Sequence, residues 1–261
     1  MDLSATSLPG ASWLASDPAA AGQPQLRIGL LGSLTVNGQA GALLPAQSQL
    51  IVALALNEGG LCNHQLRTLL GADPLHPKPA DSLRQLIVRT RRALGRAGDD
   101  REWIQHLGHG RYALHQDAWV DWREFERLTG TGSECADTRP LSEALGLIRG
   151  QPFTGCYYWW LEPELTDSVT ARIVATAETL AELSLTAHDP AAAVRAARIG
   201  LAADSSAEQL WRVMMRAEHA AGNLAGVRGA WGRCLDVVSE VAADGQPDSA
   251  TSAVYSALLA R

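Results

Sequence analysis

Cysteine is sparse and unpaired in this sequence. Cys62, Cys135, Cys156 and Cys234 are scattered through 261 residues with no Cys-x-x-Cys pair. That argues against a thiolate zinc site and a disulfide framework, and fits a reducing compartment. No window is apolar and uncharged for long enough to span a bilayer, so this segment itself is expected to make no membrane contact. The N-terminus lacks a basic region followed by an apolar core, so it does not read as a secretory signal. Gly108-His109-Gly110 is not a phosphate-binding loop, because neither Lys-Ser/Thr nor a helix follows it. No nucleophile stands with a base and an orienting group, so nothing points to an enzyme or a cofactor. His106, His109 and His115 lie close in sequence but lack the thiol or carboxylate pattern of a metal site. Contact with a DNA backbone, or plain exposure, accounts for them.

What is present is ample apolar content and a divided charge. The apolar fraction is 46%, enough for real cores, and the length allows one large domain or two ordinary ones. The net charge of −6 hides an asymmetry. Residues 26–117 carry ten Lys+Arg against seven Asp+Glu, net +3, whereas residues 118–261 carry twelve against nineteen, net −7. A basic front and an acidic back suit a nucleic-acid module joined to a protein-interaction module.

Residues 1–25 are rich in Ala, Ser, Pro and Gly without sustained periodicity, and read as a flexible leader or linker. Residues 26–32 read as a strand. Residues 33–36 and 42–44 add short strands around an Asn37-Gly38 turn. Pro45 opens a helix over 47–57 whose Leu50, Ile51, Leu54 and Ala55 face inward, and Gly59-Gly60 stops it. Asn63 is suited to cap a second helix over 64–71. Residues 72–79 hold three prolines and read as a stiff loop.

The chain's most informative stretch follows. Leu83, Leu86, Ile87, Thr90 and Leu94 recur at helical spacing and form one stripe. Opposite that stripe lie Gln85, Val88 and Arg92, with Arg84 and Arg89 on its flanks, while Arg91 lies nearer the stripe. Trp103-Ile104-Gln105-His106-Leu107 and Arg111-Tyr112-Ala113-Leu114-His115 then read as two strands joined by a Gly-rich turn. A basic amphipathic helix followed by a hairpin is the reading end of a winged helix, the helix suiting the major groove and the hairpin the adjacent backbone. The same pattern also describes a solvated helix beside an ordinary hairpin.

After Asp121 the pattern is almost purely helical. A helix opens at 121–128, a polar loop covers 130–140, a short helix 141–150, a loop 151–160 and one long helix 161–186. Asp189-Pro190-Ala191-Ala192-Ala193-Val194-Arg195-Ala196-Ala197 then matches Asn223-Leu224-Ala225-Gly226-Val227-Arg228-Gly229-Ala230-Trp231, with Pro190 and Leu224 separated by the 34 residues of a tetratricopeptide period. Small residues such as Ala196 and Ala230 let paired helices approach, and a last helix over 248–260 caps the array. The fold class expected is therefore mainly α, a winged helix-turn-helix followed by an all-α repeat domain with no strand of its own.

Several segments resemble a known family. Leu66-Arg67-Thr68-Leu69-Leu70, the Pro-rich loop, Ser82-Leu83-Arg84, Arg91-Arg92-Ala93-Leu94-Gly95 and Gly110-Arg111-Tyr112-Ala113-Leu114 resemble the OmpR-type winged helix of SARP regulators, over residues 26–117. The second helix departs from that pattern, ending Leu69-Leu70-Gly71-Ala72-Asp73-Pro74 where relatives usually place a tryptophan, and the next loop carries Leu75-His76-Pro77-Lys78. In that fold the loop can touch RNA polymerase, which makes the polymerase a candidate partner beside double-stranded DNA. Trp119-Val120-Asp121-Trp122-Arg123-Glu124-Phe125, Ile148-Arg149-Gly150-Gln151-Pro152-Phe153 and Ala207-Glu208-Gln209-Leu210-Trp211-Arg212 resemble the bacterial transcriptional activator domain of the same regulators, over residues 118–261. Gly155-Cys156-Tyr157-Tyr158-Trp159-Trp160-Leu161 resembles a subgroup in which the cassette ends an actinobacterial membrane protein with a LysM peptidoglycan-binding domain. On that likeness the chain is the cytoplasmic region of such a protein.

Two functions from different classes follow. In one, a cytoplasmic transcription regulator contacts DNA through Arg84, Gln85, Val88, Arg89 and Arg92 on the helix and Arg111 on the wing, while the repeats sense or recruit a partner. One module offers little contact area, so a homodimer or tandem sites would raise affinity. In the other, the chain is an adaptor whose winged helix has lost DNA binding and is covered by the repeats or the leader. Tyr157, Tyr158, Trp159 and Trp160 have three readings: two rings buried and two covering neighbouring helices, an exposed anchor for a protein partner, or a platform for stacking nucleotides.

Overall fold

The computed structural model describes residues 26–37, 39–71, 81–130, 138–156, 161, 163–242 and 245–260. Tyr157–Trp160, the Pro-rich loop with Lys78, and Cys135 lie outside the described residues.

The front of the chain builds two small sheets around three helices. β1 (Arg27–Gly29), β2 (Thr35–Val36) and β3 (Gln39–Ala40) form an antiparallel meander, with Ile28 opposite Val36 and Thr35 opposite Ala40. Asn37 turns the second hairpin with φ 51°, and its Oδ1 accepts the Arg27 N–H at 2.9 Å. Asn tolerates that left-handed conformation better than other non-glycine residues do. α1 (Pro45–Ala55) starts on its proline, and Gln47 accepts the Leu44 N–H at 2.9 Å. Its Leu50, Ile51, Leu54 and Ala55 are all buried, as their spacing predicts. Asn57 closes the helix by donating to the Ala53 carbonyl at 2.8 Å. Residues 42–44, expected as a strand, lie outside the sheet.

β4 (Leu61–Cys62) follows, a strand that the sequence pattern does not announce. α2 (Asn63–Gly71) and α3 (Asp81–Leu94) come next, then β5 (Ile104–His106) and β6 (Arg111–Leu114). β6 pairs antiparallel with both β4 and β5, so the expected hairpin is the larger part of a three-stranded sheet. Gly60 makes this possible: its φ is 72°, and a Cβ there would strike the Tyr112 carbonyl.

β7 (Trp119–Val120) corrects the expectation that residues 118–261 hold no strand. It pairs parallel to β1, Arg27 opposite Trp119 and Ile28 opposite Val120. Thr154 adds an isolated parallel bridge to Ser33. The reason is backbone satisfaction: β1 has an open edge, and the segment entering the helices runs past it in extended form.

The rest is helical among the described residues: α4 (Asp121–Thr129), α5 (Thr138–Leu145), α6 (Pro163–Thr186), α7 (Pro190–Ala203), α8 (Glu208–Ala220), α9 (Leu224–Val241) and α10 (Ser249–Leu259). α5 begins inside the expected polar loop, because Pro140 sits in a first turn where its missing N–H costs nothing. Trp122 and Phe125 stack at 5.5 Å, and the Arg172 guanidinium lies 5.8 Å from the Trp122 centroid. Buried side chains from Leu26 to Val238 form one continuous apolar cluster, so the front and back of the chain share a core.

The 34-residue offset is visible in hydrogen bonds. Asp189 Oδ1 accepts the Ala192 N–H at 2.9 Å, and Asn223 Oδ1 accepts the Gly226 N–H at 3.0 Å. The Asp189 N–H donates to Ser184 and the Asn223 N–H to Glu218, both at 2.8 Å. The residue before each cap is left-handed, His188 at φ 60° and Gly222 at φ 73°. Ala196 and Ala230 are buried at the equivalent contacts. Each cap satisfies a donor at the start of its helix, so Asp189→Ala and Asn223→Ala should each lower stability by about 1 kcal/mol. The double variant should lose nearly the sum, since the caps serve different helices. Urea titration checks both statements.

Candidate nucleic-acid interface

α3 is held from behind. Leu83, Ile87 and Thr90 are buried, and Thr90 returns its hydroxyl to the Leu86 carbonyl at 2.8 Å. The helix packs on α1 and α2. Arg91 donates from Nε to the Ile104 carbonyl at 2.9 Å, tying α3 to β5. The expectation that Arg91 lies nearer the buried stripe is thus met.

The outer face of α3 is open. Arg84, Gln85, Val88, Arg89 and Arg92 are all exposed. Among the described residues, Arg84, Arg89 and Arg92 have no acidic partner within ion-pair distance. Val88, 38% exposed, stands between Gln85 and Arg92. At the C-terminal end of the face, Val88, Arg91, Arg92, Gly95, Arg96 and Glu102 line a cleft of about 400 Å³.

The hairpin beside it turns through Gly108, His109 and Gly110, all with positive φ. Leu107 at the turn is 52% exposed, an apolar tip that sequence periodicity does not flag. His106 packs against Tyr112 at 5.1 Å. Arg111 is exposed, but its Nη1 donates to the Gly59 and Gly60 carbonyls at 3.0 and 3.3 Å. Its guanidinium is therefore partly committed to the loop before β4. Close by, the Gln65 N–H holds the Cys62 thiol below its ordinary range, against a partial desolvation that raises it, with the His64 N–H and Arg111 adding to the lowering.

His115 corrects the expectation of exposure or backbone contact. It is 1% exposed and packs edge-on against Trp103 at 5.7 Å. Its Nδ1 accepts the Asp117 N–H at 3.1 Å, so Nε2 is the nitrogen free to donate to Asp99 at 3.2 Å. Partial desolvation pushes the Asp99 carboxyl up, but the Arg101 N–H, the His115 ring and the Arg101 charge outweigh it and hold it below the usual range. His115 is thus an internal strut of the hairpin's base.

The joint behind this face uses residues the sequence did not single out as functional. Asp121, 2% exposed, accepts the Leu30 and Leu31 N–H groups at 2.7 and 3.0 Å and meets Arg149 at 3.3 Å. Burial pushes the Asp121 carboxyl up, while the two amides and Arg149 pull it back. Arg149 also donates to the Ser33 carbonyl at 2.8 Å. Its guanidinium passes over Gly29, where a Cβ would collide with it. Arg123 reaches the other way, to the Ala55 and Leu54 carbonyls that end α1, at 3.0 and 3.2 Å.

The family model for the bacterial transcriptional activator domain matches residues 120–259. The Mycobacterium tuberculosis protein EmbR, solved in complex with a low-affinity phosphopeptide, superposes with a TM-score of 0.66 at 21% identity. The match covers 90% of this chain and 65% of that one, so this chain spans just under two thirds of EmbR and shares its fold over that span. Among curated proteins, none matches this sequence. With more than half of its residues inside the family match, this chain belongs to the bacterial transcriptional activator domain family.

Proposed function

We propose that this chain is a DNA-binding transcription regulator of the SARP type rather than an enzyme. On this reading residues 26–117 are an OmpR-type winged helix, with α3 the reading helix and the β5–β6 hairpin its wing. Residues 118–261 are a tetratricopeptide-like domain that senses a signal or recruits a partner. The observation that carries the reading is the outer face of α3: three arginines without acidic partners among the described residues and one amide, on a helix locked from behind by Leu83, Ile87, Thr90 and Arg91. Arg84, Arg89 and Arg92 suit phosphates, and Gln85 suits the edge of an adenine. Arg111 keeps guanidinium donors beyond Nη1 for the backbone.

The adaptor reading expects α3 to be covered by the repeats or the leader; the exposure of five side chains on its outer face supports the DNA-binding reading. The likeness of residues 155–161 to the LysM-containing subgroup would place the cassette on the cytoplasmic side of a membrane protein, where DNA is within reach. None of the described helices is long and apolar enough to cross a membrane. Tyr157–Trp160 would then serve as an anchor for a protein partner, with a second copy of the chain or RNA polymerase the first two to test.

A mobility-shift titration on random duplex DNA, repeated across a salt series, tests the proposal. Four arginine–phosphate contacts correspond to a log–log salt slope of about −3 to −4. If no duplex is bound in a salt-sensitive way even at low ionic strength, the adaptor reading replaces this one.

A further inference from the structure

We propose that Val88 reads a thymine methyl group, so that the preferred duplex carries a thymine within about one base step of the adenine paired by Gln85. This rests on the DNA-binding reading above. Arg84, Gln85, Arg89 and Arg92 all carry hydrogen-bonding groups, and Val88 carries none. An apolar side chain can discriminate base pairs only by apolar contact. In the major groove, the edges of the bases offer donors and acceptors, and thymine's C5-methyl is the apolar group they present.

A single exposed valine is ordinary on a protein surface. Position is what separates this one. Val88 stands at the centre of the face, between Gln85 and Arg92, where a helix lying in the groove comes nearest to the bases. Three residues of helix advance about 4.5 Å, close to the ~3.4 Å between successive bases of one strand. Gln85 and Val88 are therefore spaced to meet the same or adjoining base pairs. A β-branched side chain in a helix holds essentially one χ1 rotamer, so its methyl groups are presented with little left to order.

The test uses the whole chain and a duplex selected from a random pool. Each thymine is replaced in turn by deoxyuridine, which removes the methyl and leaves base pairing intact. One position should weaken wild-type binding about fourfold, the factor expected for one buried methyl group. Val88→Ala should bind the parent duplex more weakly by about the same factor and be indifferent to that deoxyuridine. Circular dichroism of the variant should match wild type, because alanine is the better helix former at an exposed site. If duplexes are bound but every deoxyuridine is silent, or Val88→Ala keeps the wild-type sensitivity, this inference alone falls. If no duplex is bound at all, the DNA-binding reading falls and takes this inference with it.

Discussion

Asp121→Ala should lower the stability of the chain by about 3–5 kcal/mol, the largest loss expected of any single substitution considered. The carboxylate is the junction of three donors from two parts of the molecule. Removing it strands the Leu30 and Leu31 amides, both in fully buried residues, and leaves Arg149 without its anion. An unpaired buried amide costs about 1–3 kcal/mol, and breaking a buried ion pair from one side about 3–5 kcal/mol, so the losses overlap rather than add. Asp121→Asn separates the effects. With its carbonyl in place of Oδ2 it still serves the Leu31 amide and Arg149, but its NH2 then faces the Leu30 amide; flipped, it serves Leu30 and sets its NH2 against Leu31 and Arg149, donor against donor. It should therefore recover only part of the loss. Chemical denaturation followed by tryptophan fluorescence measures both, and a loss under 1 kcal/mol for Asp121→Ala would remove this cluster from the joint.

The sequence made some of these features legible and hid others for a physical reason. The buried stripe of α3 and its exposed arginines are written in spacings of three to seven residues, so local pattern suffices; Asp189 and Asn223 were legible as equivalent positions of a 34-residue repeat, but not as helix caps. The role of Arg91 could be read from its angle on the helix for the same reason. β4 and β7 could not, because a strand of two residues has no periodicity of its own and exists only through its partner. The Asp121 contacts span 91 and 90 residues, and Arg149 reaches Ser33 across 116. Only the assembled fold brings such groups together. His115 follows the same rule: its alternation places it on the hairpin, but its burial depends on Trp103 and Asp99 closing over it. Arg111 was legible as a wing residue, but its attachment to Gly59 and Gly60 was not, since that contact needs the glycine-led approach of β4 to β6.

Replacing Arg89 and Arg92 together by alanine should abolish duplex binding while leaving the fold intact. A hydrogen bond from a charged group contributes about 1.5–3 kcal/mol, so losing two weakens binding by roughly two to four orders of magnitude. At ionic strength low enough to restore measurable binding, the log–log salt slope should be shallower by about 2, as two phosphate contacts disappear. Stability should change little, because both side chains are exposed and make no ion pair among the described residues. Arg91→Ala is the informative control. It removes the same charge from the same helix, but its side chain is spent on the Ile104 carbonyl. It should therefore cost about 1 kcal/mol of stability. Its salt slope should stay close to wild type, because no phosphate contact is lost. A general reduction in positive charge would make all three arginines equivalent; a reading helix with one face on DNA and one on the protein would not. If the Arg89/Arg92 variant binds duplexes with wild-type affinity and slope, the outer face of α3 is not the DNA-contacting surface, and the arginines there serve only to keep an exposed helix in solution.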